Sequence, residues 1–320
     1  MIQHRLFGKF LLGFALTLGV CLASIFVVRA DINQASRPKE SIAPGSLPGL
    51  QFVHTATSEN VAANWTSIDL PQLNENPNAI FFVSQNWNPN GIGGQFNDHS
   101  IGVWYSSSTK RWNIFNQDKT DMAAGAAFNV LIPDGDYSVF VHAASATNIV
   151  NNWTIIDHPL ANNNPDAVIL ITQNWNPGGI GNVYNDHPVG VWYSSSSGKW
   201  GIFNQDIVAM PDGASFNVII PSSGPTAFVH TAMPTTYTSN WTELDHPYTN
   251  NNPSALVFAT QNWNPPGGSG IYNDHNIGVW YNLNTGRWAV FNQDQANMPD
   301  GASFNIIVSE RKIFLPLLIQ

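Results

Sequence analysis

Cysteine is nearly absent. The chain of 320 residues has one, Cys21, and it stands inside an N-terminal apolar run. Beyond that run no disulfide can form, and no thiolate nucleophile or thiolate metal site is available. Charge is also sparse, at 10% of residues, and basic charge is the scarcer kind. Residues 1–30 contain Arg5, Lys9 and Arg29; without them 9 basic side chains remain against 21 acidic ones, a formal charge of 9 − 21 = −12. There is no basic tract beyond isolated pairs such as Lys110-Arg111. A nucleic-acid footprint needs clustered positive charge and is absent, and adhesion to anionic lipid is disfavoured for the same reason. No stretch keeps helical periodicity, which argues against an α or α/β fold. Neither a GxSxG elbow nor an HExxH pair occurs, which removes two common hydrolase signatures.

The N-terminus carries Arg5 and Lys9, then an apolar run from Phe10 to Val28, then Ala30 before Asp31. This pattern reads as a secretory signal peptide over residues 1–30, cleaved after Ala30. The alternative is an uncleaved anchor, because the run approaches membrane-spanning length. Gly-Val before Cys21 does not suit lipidation. Residues 31–49 are rich in Pro, Ser and Gly and read as a linker.

The rest is one unit written three times. FVH begins at Phe52, Phe140 and Phe228; NWT at Asn64, Asn152 and Asn240; GVWY at Gly102, Gly190 and Gly278; FNQD at Phe115, Phe203 and Phe291. Every step is 88 residues without a gap, and all twelve tryptophans fall in these copies, four in each. The modules are expected at 50–133, 138–221 and 226–309, with an apolar tail at 310–320. Short runs of Val, Ile, Phe, Trp and Tyr, split by Asn, Pro, Gly and Asp, predict six strands per copy. In the second copy these are SVFVHAA, NWTIID, AVILITQNW, VGVWYSS, KWGIFNQ and ASFNVII. The expected fold is all-β: three tandem six-stranded antiparallel β-sandwich or small-barrel modules. A propeller-like closed ring of half-repeats is the alternative, although propeller blades usually have four strands.

The combination QNWNPGG, NDHPVGVWY, KWGIFNQD and MPDGASFNV resembles a domain of unknown function that occurs as tandem copies in exported microbial proteins. The resemblance spans each unit and implies a family, but no activity. The tail RKIFLPLLIQ is similar to the apolar ends of exported bacterial proteins, and is too short to span a bilayer.

QNWNP starts at Gln85, Gln173 and Gln261, where a strand meets a Gly-rich loop. Trp87, Trp175 and Trp263 are therefore candidates for a sugar platform, or for a plug that closes each module. Trp65, Trp153 and Trp241 are expected to start an inward-facing strand. The NDH triplets supply Asn97 and Asp98, Asn185 and Asp186, Asn273 and Asp274. Adjacent Asp and His can orient each other; the plainer reading is an Asx turn with a backbone-bonded histidine. Asp118, Asp206 and Asp294 close the FNQD motifs, where they suit sugar hydroxyls, a weakly held calcium, or capping of the next loop. No other cofactor is implied. His54, His142 and His230 lie within strands and read as structural. Ala123 replaces the proline found at Pro211 and Pro299, which predicts a looser loop in copy one.

Catalysis by two carboxylates would have to use the Asp98 and Asp118 equivalents, since no Glu recurs in all copies. Tandem repetition suits binding better, because linked sites gain avidity. The sequence thus points to a secreted or cell-surface binding protein, with carbohydrate or cell-envelope glycan as ligand. A structural or adhesive protein with protein partners is the rival reading, and a glycan-active hydrolase a third. No stable membrane insertion is expected once the leader is removed.

Overall fold

The computed structural model describes residues 49–133, 138–181, 183–221 and 224–309. The leader, all but the last residue of the linker, and the apolar tail lie outside them. The three copies fall within one compact unit. The fold is all-β. Module 1 contains β1 (Gly49–Thr55), β2 (Val61–Ala62), β3 (Trp65–Ser67), β4 (Phe82–Gln85), β5 (Ile101–Ser106), β6 (Arg111–Asn116) and β7 (Ala127–Pro133). Module 2 repeats them as β8 (Ser138–Ala143), β9 (Ile149–Val150), β10 (Trp153–Ile156), β11 (Leu170–Asn174), β12 (Val189–Ser194), β13 (Lys199–Asn204) and β14 (Ser215–Ile220). Module 3 has β15 (Ala227–Thr231), β16 (Tyr237–Thr238), β17 (Trp241–Glu243), β18 (Leu256–Asn262), β19 (Ile277–Asn282), β20 (Arg287–Asn292) and β21 (Ser303–Ser309). The six expected strands per copy are all present. The seventh is a two-residue edge strand, and strands this short offer little for another chain to pair with.

Each module is a sandwich. In module 1, the sheet β1-β7-β4 packs on β2-β3-β6-β5. Alternation along the strands supplies the core: Val103 and Tyr105 of GVWY point in, as do Ile114 and Trp112, Phe128 and Val130. Trp112, Trp200 and Trp288 are fully buried, and each indole N–H donates to a loop carbonyl, that of Asn76, Asn164 or Asn252, at 2.8 Å. The β12–β13 hairpin turns at Gly198, whose φ of 67° favours glycine. Copy one's loop is built like the others despite Ala123. Ala126 N–H donates to Ala123 at 3.1 Å, as Ala214 does to Pro211 at 3.2 Å.

The sheets do not stop at module boundaries. β11 pairs in parallel with β5, and β18 with β12, so two seven-stranded sheets each join three strands of one module to four of the preceding one. The third junction runs from module 1 back to module 3. There Asn86 bridges Val279 in parallel, and Trp87 N–H donates to the Val279 carbonyl at 2.9 Å. The three modules therefore close into a ring. The ring is made of whole sandwiches, as the expected modules imply, and the alternative of half-repeat blades is set aside. The physical reason is that each half supplies strands to two different sheets.

QNWNP forms these junctions. Asn88 accepts the Tyr281 backbone N–H at 2.7 Å and donates to the Tyr281 carbonyl at 2.8 Å. Asn176 grips Tyr105 in the same way, and Asn264 grips Tyr193. Asn129, Asn217 and Asn305 each donate to a neighbouring module's carbonyl, that of Val257, Phe81 or Ile169. On the axis, Phe82, Leu170 and Phe258 meet Leu131, Ile219 and Ile307 in a separate cluster that is almost fully buried. Burying each such side chain is worth about 1.5–3 kcal/mol, so the axis holds the ring with apolar contact as well as hydrogen bonds.

Asn88→Ala should destabilise the chain by about 1–3 kcal/mol, because it leaves a buried N–H and carbonyl of Tyr281 without partners; equilibrium urea unfolding measures this. A second expectation concerns acid. Burial lowers His54, His142 and His230 from 6.5 to about 4. The hydroxyl of Thr66 donates to Asn60, so it accepts from a neutral His54 ring at 2.8 Å; Thr154 and His142 repeat this at 2.9 Å. The unfolded chain binds these protons first, so stability is fully present above pH 6.5 and is lost as pH falls toward 4. The slope should reach roughly 4 kcal/mol per pH unit if all three titrate together. Replacing all three histidines with Gln should flatten the acid side of the stability–pH curve.

Candidate functional site

Three of the four tryptophans in each copy gather at the ring's seams. At the seam between modules 3 and 1, Trp280 packs edge-on against both Trp241 and Trp87, with ring centroids 5.5 and 6.1 Å apart. Phe96 lies 5.6 Å from Trp87 and 6.0 Å from Phe291. Trp87, Trp241 and Trp280 are half-buried. With Phe96, Phe291, Asn240 and Gln295 they line a groove of about 170 Å³. The other seams repeat the aromatic contacts: Trp65, Trp104, Trp175, Tyr184 and Phe115 at one, and Trp153, Trp192, Trp263, Tyr272 and Phe203 at the other.

Trp65, Trp153 and Trp241 thus face outward, and Thr66, Thr154 and Thr242 are the fully buried residues of NWT. This reverses the inward orientation expected of these tryptophans. The register of a three- or four-residue strand is too short to read from alternation alone. The sequon amides are engaged: Asn64 donates to the Asn116 carbonyl at 2.9 Å, and Asn152 and Asn240 make the equivalent bonds at 3.0 Å.

The candidates from the NDH and FNQD motifs occupy different places. Asn97 and Asn185 are buried between strands and each donates to a glutamine, Gln85 or Gln173, at 3.0 Å. Asn97, Asn185 and Asn273 also donate to Asn116, Asn204 and Asn292 at 2.9 Å. These asparagines build the site's frame and present no amide to solvent. His99 bonds neither backbone nor Asp98 through its ring. Its Nδ1 meets Asp118 at 2.7 Å, and His275 meets Asp294 at 2.7 Å, with His187 and Asp206 at 2.5 Å. The partner lies 19 residues away, just past the end of the neighbouring strand, beyond the range of local motif reading.

Asp118, Asp206 and Asp294 also cap the next turn, accepting the backbone N–H of Thr120, Val208 and Ala296. For Asp118, partial burial pushes its pKa upward, but the two Thr120 bonds and His99 outweigh this and hold it below the ordinary carboxylate value. Asp186 moves the other way: burial raises it first, and the charge of Asp118 across the seam adds to this. Asp274 is raised by burial and by Asp206. Asp118 thus acts on Asp186, and Asp206 on Asp274, from one module to the next, and no carboxylate lines the described aromatic groove. Nearby, Ser84, Thr172, Thr260, Gln85, Gln173, Gln261 and the three histidines surround an axial cavity of about 90 Å³, enough for several waters. The axial hydroxyls accept N–H groups from neighbouring modules, Thr172 from Val83 at 2.9 Å, Thr260 from Ile171 at 3.1 Å and Ser84 from Ala259 at 3.1 Å. Among the described residues, no three His, Cys, Asp or Glu side chains are placed to hold a metal.

The site residues that sequence reasoning missed are Phe96, Tyr184 and Tyr272, and the outer pairs Trp65 with Trp104, Trp153 with Trp192, and Trp241 with Trp280. Their confinement to the same 88-residue register was visible, but the groove needs rings from two copies.

Fold and seams together define a cyclic, three-module β-repeat protein with an aromatic cluster at each junction. The domain family described as a domain of unknown function (DUF7452) matches residues 42–109, 102–206 and 191–308, and the chain belongs to it. No curated protein and no solved structure gives a significant match. Among the described residues no helix is long and apolar enough to cross a membrane.

In modules 1 and 3 the loop over the QNWNP tryptophan passes very close to the ring. A Cβ on Gly94 would lie 2.1 Å from Trp87 Cζ2, and one on Gly270 2.1 Å from Trp263 Cδ2. Gly94→Ala and Gly270→Ala should each cost about 1–3 kcal/mol by overpacking. Gly268→Ala has nothing within 4 Å of its new methyl group and should be close to neutral. Chemical denaturation of the three variants checks the contrast.

Proposed function

We propose that this is a secreted or cell-surface, non-catalytic binding protein that takes carbohydrate in its three seam grooves. One observation carries the reading: half-exposed indole rings from two modules meet in a shallow groove with amides at its rim. A pyranose has an apolar face that stacks on such rings and hydroxyls that amides can bond. The described groove contains neither a carboxylate nor a histidine, so it offers stacking and hydrogen bonding but no acid–base pair. Three equivalent grooves on one rigid ring suit a repetitive polymer, because binding at one raises the effective concentration at the next.

A second reading has its own support. Ile92 and Ile180, at the tips of the Gly-rich loops, are 76% and 81% exposed. Such residues favour an adhesive surface protein with protein partners.

A glycan and polysaccharide screen on the full chain separates the two. If the grooves bind sugar, a variant with Trp65, Trp153 and Trp241 all changed to Ala should bind about tenfold more weakly per groove. Circular dichroism and a melting curve should remain native. Undiminished glycan binding by a folded triple variant rejects the grooves, and an empty screen favours the adhesive reading.

A further inference from the structure

The three seams share their tryptophans but differ at two positions, the ring at Phe96, Tyr184 or Tyr272 and the residue that follows FNQD. Gln295 follows FNQD in module 3 and lines the described groove. The equivalent residues are Lys119 and Ile207. All three are exposed and adopt the same left-handed conformation, with φ of 66° to 67°. A shared turn fixes them: each backbone N–H donates at 3.1 Å to the carbonyl three residues before it, that of Asn116, Asn204 or Asn292. The backbone thus presents one side chain at the same place beside every groove, and that side chain is an amide, a cation or an aliphatic group. Ile207 is notable because β-branched residues rarely adopt a left-handed conformation, and its side chain is 64% exposed. Neither packing nor turn preference explains an isoleucine there.

Lys119 has a defined position. Its Nζ lies 4.5 Å from the centroid of the Tyr184 ring, which belongs to the groove between modules 1 and 2. The ammonium therefore sits at the edge of the aromatic floor. Asp118 beside it is turned to His99 and Thr120, and among the described residues no ion pair involves Lys119. A sugar stacked on this floor would bring its ring substituents to that edge. A hexuronate carries its carboxylate there, at the rim of the pyranose ring, where a cation can meet it.

Resting on the carbohydrate-binding reading, we infer that the residue after each FNQD motif sets what its groove accepts, and that Lys119 makes the groove between modules 1 and 2 selective for a hexuronate. The grooves with Gln295 and Ile207 take uncharged sugar. The protein is then a mixed-specificity binder suited to a polymer in which acidic and neutral sugars occur together.

The test uses the full chain and two probes, an oligogalacturonate and its methyl ester, which differ in charge and by one methyl group per residue. The indole N–H resonances of Trp87, Trp175 and Trp263 report the three grooves separately. The acid form should bind at Trp175 about three- to fivefold more tightly than the ester, the range of an exposed ion pair, and added salt should erase the difference. Lys119→Gln should remove this preference without weakening the ester. Gln295→Lys should create it at Trp87. Equal affinity for acid and ester at Trp175, or an unchanged preference in Lys119→Gln, overturns the rim assignment and leaves the grooves as sugar sites. If neither probe moves Trp175 while a neutral glycan moves all three signals, the uronate assignment falls alone. If no glycan moves any of the three, the carbohydrate reading falls with it.

Discussion

The asparagine grip on a neighbouring strand is the constraint on which the rest of the molecule depends. Asn88, Asn176 and Asn264 each occupy both backbone polar groups of a single tyrosine in the adjacent module. A backbone N–H and carbonyl buried at a seam must be paired, and a primary amide can satisfy both at once. That pairing fixes the distance and register between modules, and the parallel strand contact follows from it. The tryptophan one position earlier is then carried to the seam, edge-on to the outer tryptophan of its neighbour. The grooves exist because the hydrogen bonds put rings from two copies side by side.

Much of the fold is legible in the sequence. Six strands per copy, the β12–β13 hairpin and the structural role of His54, His142 and His230 all follow from alternation, turn residues and flanking apolar side chains. The direction of GVWY is not legible, because Val103, Trp104 and Tyr105 are all apolar enough for either face. The structure buries Val103 and Tyr105 and turns Trp104 toward Trp65 and Trp175. The seams are hidden for a different reason. When copies are nearly identical, a contact between strands of one copy and a contact between strands of adjacent copies carry the same sequence pattern. Periodicity then reveals that modules exist without revealing which module a strand completes.

The site residues divide along the same line. Trp87, Trp175 and Trp263 were visible because they recur beside Asn and Pro at a strand end. Asn97, Asn185 and Asn273 look similar in sequence but are drawn inward by partners far away in the chain, Gln85 or Gln173 and the FNQD asparagines. Asp118 can pair with His99 because adjacent antiparallel strands, β5 and β6, bring Ile101 opposite Asn116. Only strand register makes that pair, and register was not resolved by composition or spacing.

Closure of module 1 against module 3 also bears on how such a chain can vary. In an open solenoid, a copy can be gained or lost at either end with little effect on the others. Here every module is flanked on both sides, and the last junction uses the same grip as the first two. Losing one copy would leave two gripping surfaces without matching angles, and gaining one would force the ring apart. The copy number is therefore a property of the junction's geometry. Divergence is channelled into seam side chains that the asparagine grip does not use, such as Lys119, Ile207 and Gln295.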